Sequence, residues 1–178
     1  MLLPLKLHPD SACAAVARIE VDVARPHPGV LLLGYSVEGD IAALKLPPPR
    51  VQRRADELWR TTCFEAFLRA GGGEGYHELN FSPSTEWAAY RFSGYRLGMS
   101  PAAVRAPRLG TRASATLFEL DAALELDAAP GLPSDAAWRL GLSAVIEDAS
   151  GHISYWALAH SPGRPDFHAA ASFALELL

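Results

Sequence analysis

Between Glu57 and Phe92 the chain places hydrogen-bonding side chains inside strongly apolar runs. Glu65 stands in "CFEAFLRA", Glu78 and Asn80 in "YHELNFS", and Arg91 in "EWAAYRF". Two of the four tryptophans, Trp59 and Trp87, lie in the same stretch. Carboxylates, amides and guanidinium groups hydrogen-bond hydroxyls in fixed directions. Flat aromatic rings add apolar contact without a deep pocket. A face carrying both suits a sugar ring.

The elements that must position these groups are strands. Period-two alternation dominates: "VARIEVDVA" sets Ile19, Val21 and Val23 against Arg18, Glu20 and Asp22. "GVLLLGYSVEG" and "IAALKLP" read as the next two strands. "CFEAFLRA" and "YHELNFS" flank "GGGEG", a link short enough for a hairpin, and "EWAAYRF" follows the turn signal "SPST". "ASATLFELD", "AWRLGLSAVIED" and "HISYWALAH" complete the set. "PAAVRA" and "PSDAA" offer at most a turn or two of helix. This pattern predicts an all-β fold, an antiparallel two-sheet β-sandwich with jelly-roll or immunoglobulin-like connections, as a single domain over residues 1–178.

Face by face, Phe64, Ala66 and Leu68 form one apolar set and Leu79 with Phe81 another. By the same parity Glu65, Glu78 and Asn80 point the other way. The simplest assembly buries the apolar sets, including Ala88, Tyr90 and Phe92, and Ile153, Tyr155, Ala157 and Ala159. It then displays Glu65, Glu78, Asn80, Arg91 and Trp156 on the opposite face.

A net charge of −4 and a pI near 5.8, with "RVQRR" as the densest basic run, argue against nucleic acid or an anionic membrane as partner. No apolar run approaches a membrane span, and Pro4, Lys6 and His8 break the opening one. A cytoplasmic location is expected, with Cys13 and Cys63 as free thiols. "GGGEG" leads into a strand rather than a helix, so it is no phosphate loop. Cys63 and His77 fall on opposite faces and make no nucleophile pair. His152, His160 and His168 are spaced too widely along the chain to share a metal.

"LWRTTCFEAFL…GYHELNFSPSTEWAAYRF" and the later "YWALAHSPGRPDFHAAASFALEL" resemble the DOMON-like and family 9 carbohydrate-binding-module superfamily. The resemblance covers the central and last thirds of the chain. It departs from the family's pattern at "RTTC", where acidic residues are usual. It implies a non-catalytic module that clamps a saccharide or glycoconjugate between Trp59 and Trp156, with Glu65 and Arg91 on the hydroxyls. Two such rings would stand roughly 7–8 Å apart. No cofactor is expected from the residues themselves. The superfamily adds two candidates, calcium and a haem held by Met and His, for which Met99 and several histidines are formally available. A third alternative is a glycoside hydrolase using Glu65 and Glu78 as its carboxylate pair.

Overall fold

The computed structural model describes residues 1–178. Twelve strands follow in chain order: β1 (Leu2–Leu7), β2 (Val16–Ala24), β3 (Val30–Gly39), β4 (Cys63–Ala70), β5 (Tyr76–Phe81), β6 (Trp87–Phe92), β7 (Ser100–Pro101), β8 (Arg108–Ala113), β9 (Leu117–Glu125), β10 (Trp138–Glu147), β11 (Ile153–Ala157) and β12 (Leu175–Leu177). The named strand pairs are all antiparallel. They make an all-β sandwich. One sheet runs β1-β2-β3-β9-β8 and the other β7-β6-β5-β4-β10-β11, with β12 paired to β10 beyond the end of β11. β1 joins the two: Leu2–Leu5 pair with β2, whereas Lys6 and Leu7 pair with β11.

The main core fills the space between the sheets. Ile19, Val21, Leu31 and Leu33 meet Phe64, Leu68, Leu79 and Phe81 across it. Tyr35 reaches over the gap, and its hydroxyl donates to the Glu65 carbonyl at 2.7 Å. A second, smaller cluster lies on the outer face of the β4–β5 sheet. It gathers Cys63, Phe67, Tyr76, Ala88, Tyr90, Phe92, Val145 and Ala157 with Phe167 and Phe173 from the C-terminal segment. Every residue of β5, and Cys63–Leu68 of β4, is therefore buried.

This second cluster corrects several sequence expectations. Ala88, Tyr90 and Phe92 belong to it rather than to the main core, and so does Ala157. Trp156 and Trp87 are in the main core instead. In β6 and β11 both alternating sets are largely apolar, so composition does not say which faces inward; register decides. Glu78 pairs with Tyr90 and Asn80 with Ala88, which puts each pair on one face. "IAALKLP" is also not a strand: Ile41–Ala43 form a 3-10 turn and Leu44 makes one bridge to Asp148. "PAAVRA" and "PSDAA" form no helix. β1 and β8 went unread because Pro4 and Gly110 interrupt their patterns.

Trp156 is only 6% exposed and its indole N–H donates to Ser154 Oγ. Trp156→Ala is expected to cost about 3–5 kcal/mol of folding stability, as a core truncation does. Urea denaturation of the variant measures it.

Candidate functional site

On its outer side the β4–β5 sheet is covered by three segments. The first carries Trp59 in the 3-10 turn Leu58–Arg60, entered through Glu57 at φ 60°. Trp59 packs edge-on to Tyr90 at 5.7 Å, and the Tyr90 hydroxyl donates to Asp56 at 2.7 Å. The second is the turn after β6. Arg96 sits there at φ 53°, and its backbone N–H donates to the Tyr76 hydroxyl at 3.2 Å. The third is the C-terminal segment, fixed through Asp166. That carboxylate accepts from the Tyr95 hydroxyl at 2.6 Å, from Arg96 Nη2 at 2.8 Å and from the His168 N–H at 3.1 Å. Gly141 lets this segment close down on β10, because a Cβ there would stand 2.9 Å from the Ser172 carbonyl oxygen.

Between cover and sheet lies a cavity of about 370 Å³. Glu65, Glu78, Arg96 and His168 supply its charged and titratable groups apart from Tyr155; Trp59, Phe92, Tyr155 and Phe167 supply aromatic wall. Both carboxylates are nearly sealed from solvent, at 3% and 5% exposure. Ser143 Oγ donates to Glu65 Oε2 at 3.3 Å. Asn80 Nδ2 donates to Glu78 Oε1 at 2.8 Å, and the Cys63 thiol lies 3.7 Å from Asn80 Oδ1. His168 Nε2 stands 3.7 Å from Glu78 Oε2.

Burial sets the electrostatics. It pushes Glu65 well above the ordinary carboxylate range, and the neighbouring Glu78 charge pushes the same way, against Ser143 and Arg96. Burial also raises Glu78, opposed by the Asn80 hydrogen bond and by Arg96. His168 is held down to about 4 by burial and by the Arg96 charge. It is therefore neutral near pH 7. Its Nδ1 lies 2.7 Å from the Tyr76 hydroxyl. That hydroxyl also accepts from the Arg96 N–H, while the other ring nitrogen, Nε2, faces Glu78.

Of the six residues expected from sequence, Trp59, Glu65 and Glu78 line this cavity. Asn80 lies behind it, fully buried, and orients Glu78. Arg91 and Trp156 are elsewhere. Arg91 pairs with His77, is exposed, and lies on the opposite face of the sheet from Glu78. Trp156 is in the main core, so no clamp forms between Trp59 and Trp156. Tyr155, one residue earlier, faces the cavity instead. Arg96, Phe167 and His168 carried no strand signal because they sit in turns.

Met99 and His168, formal haem ligands, both line the cavity. They do not fit haem. Nδ1 of His168 is taken by the Tyr76 hydroxyl at 2.7 Å and Nε2 faces Glu78 Oε2 at 3.7 Å, so neither ring nitrogen is open to an iron. For calcium the donor set is equally thin, since no group of three or more His, Cys, Asp or Glu is arranged to hold a metal ion. No helix is long and apolar enough to cross a membrane.

No family model and no curated protein matches this sequence. The fold does have solved counterparts. A candidate carbohydrate-binding protein from Bacteroides uniformis superposes with a TM-score of 0.68 at 14% identity, covering 97% of this chain and 83% of that one. A family 9 carbohydrate-binding module from Caldicellulosiruptor kristjanssonii, in complex with cellotriose, gives 0.56 at 11% identity over 92% of this chain and 74% of that one. A glucose complex of a family 9 module from the same organism gives 0.52 at 12% identity, over 89% and 76%. The chain thus has the β-sandwich fold of the family 9 carbohydrate-binding modules.

The sign of the pH dependence follows from the raised carboxyls. A folded pKa above the unfolded one contributes stability that is complete below the unfolded value and is lost as pH rises through the folded one. Glu65→Gln removes that loss. Relative to wild type, Glu65→Gln is expected to gain thermal stability between about pH 4 and about pH 8, by at least ~2–4 °C in Tm, which is what ~1 kcal/mol shifts in a domain of this size. Scanning calorimetry at both ends of the range reads the difference. His168 acts oppositely: its contribution is complete above its ordinary 6.5 and is lost as pH falls toward 4. The test is therefore the variant-minus-wild-type difference, in which His168 cancels.

Proposed function

We propose that the protein is a non-catalytic saccharide-binding module whose ligand occupies the cavity over the β4–β5 sheet. One observation carries this reading: two buried carboxyl groups, a guanidinium and an imidazole converge on one cavity with aromatic walls. A sugar ring offers hydroxyl donors and acceptors around its rim and C–H groups on its faces. In this assignment Glu65 and Glu78 accept from hydroxyls, Arg96 and His168 Nε2 hydrogen-bond to them, and Trp59 is the platform. Asn80 holds Glu78 in place without touching the ligand. The volume is at the small end of the roughly 300–1,000 Å³ usual for ligand pockets, which favours a short saccharide or a chain end. The cellotriose and glucose held by the structural counterparts add support at the level of ligand class.

We read Glu65 and Glu78, which rise from the same face of adjacent strands, as a floor that contacts one side of the ligand.

Calorimetric titration with glucose, cellobiose and related short sugars tests the proposal. Trp59→Ala is expected to weaken binding at least ~10-fold while costing no more than about 1–2 kcal/mol of stability, because the ring is only partly buried. Undiminished affinity in that variant, or no heat with any sugar, would sink the assignment.

A further inference from the structure

Elsewhere this protein gives its buried glutamates a cation. Glu86 accepts from Arg53 at 2.7 Å and Glu147 from Lys45 at 2.6 Å. Both carboxyls are held below their ordinary range, by those hydrogen bonds first. Glu65 and Glu78 are treated differently. The cation nearest them, Arg96, is engaged by Asp166. His168 is neutral, and burial keeps the Cys63 thiol and the Tyr76 phenol protonated. Ser143 and Asn80 each give one neutral hydrogen bond. Glu65 Oε1 and Glu78 Oε2 accept none from the protein.

A neutral sugar answers the missing hydrogen bonds but brings no counter-charge, so burial and mutual repulsion still keep the pair from being doubly ionised. An ammonium group answers both, with three donors and a positive charge. Trp59 and Tyr155 favour the same charge, because the face of an aromatic ring is negative. We infer that the cavity selects a sugar bearing a free amine, its ammonium seated against Glu65 and Glu78 and its ring against Trp59. The inference rests on the saccharide reading and narrows it to amino sugars. N-acetylation removes the charge, and a uronic acid reverses it, so both modifications weaken binding.

The experiment is calorimetric titration of the full chain at about pH 6, where a sugar amine is protonated. The probes are glucosamine, glucose, N-acetylglucosamine and glucuronate. Glucosamine is expected to bind at least about tenfold tighter than the other three, and Glu65→Gln is expected to erase that advantage. A second readout needs no variant. An ammonium ion lowers the pKa of the carboxyl pair, so glucosamine binding releases protons and its heat changes with the ionisation enthalpy of the buffer, whereas the heat of glucose binding does not. Glucose binding as tightly as glucosamine, or no buffer dependence with glucosamine, overturns the amino-sugar inference and leaves the saccharide reading standing. Silence with all four sugars overturns both.

Discussion

β4 and β5 have no solvent-facing side, and the rest of the molecule answers to that constraint. A strand in a sandwich normally alternates between core and water. Here the alternation runs between one core and another. Phe64, Ala66, Leu68, Leu79 and Phe81 enter the main core, while Cys63, Phe67 and Tyr76 enter the smaller one. The second face is sealed only if distant segments come to it. The Asp56–Tyr90 bond fixes one, the Arg96–Tyr76 bond another, and Asp166 ties the C-terminal segment to the turn after β6. Burial on its own would raise the Asp166 carboxyl, but hydrogen bonds from Tyr95 and Arg96 outweigh it and hold it low. Asp166 is thus an ionised clasp, and the cavity is what its closure leaves open.

Sealing that face determines the chemistry beneath it. A glutamate on an open sheet surface would be an ordinary solvated carboxylate. Beneath the cover, each polar atom needs a partner from the protein or from a ligand. The protein supplies part of this. Asn80 links Cys63 to Glu78, and Ser143 reaches Glu65 from the neighbouring strand. The cover also removes the water that would weaken any hydrogen bond formed there, so the same enclosure that costs stability strengthens recognition. Such a trade of stability for a poised polar group is characteristic of functional sites.

Much of this was legible in the sequence. The strands around the site follow from period-two alternation, and the β4–β5 hairpin from "GGGEG". The shared face of Glu65, Glu78 and Asn80 follows from parity within two adjacent strands. The cover was not legible, because turns and irregular segments carry no periodicity to betray what they pack against. Arg96 and Phe167 were missed for that reason. Arg91 misled for another: in β6 the sets Trp87, Ala89 and Ala88, Tyr90, Phe92 are both apolar, and the lone charge pointed to the wrong face as the polar one. Its side chain is exposed because the sheet ends near it.

The two aromatic walls show the same contrast in its sharpest form. Trp59 precedes Glu65 by six residues, and this relation is local. A single 3-10 turn leads directly into β4, so the turn that ends the approach also delivers the indole above the third residue of the strand. The opposite wall depends on how β11 registers against β10, a pairing that brings Tyr155 opposite Val145 and Trp156 opposite Ala144. A step of one residue exchanges the faces. Val145 lies in the second cluster and Ala144 in the main core, so Tyr155 follows the first and Trp156 the second. Both side chains are aromatic, and hydrophobicity cannot choose between them. Register therefore decides: the indole packs into the main core, where Ser154 accepts its N–H, while the phenol ring lines the cavity. The wall opposite Trp59 is therefore a phenol, which brings a hydrogen-bonding group where an indole at that place would offer mainly apolar surface.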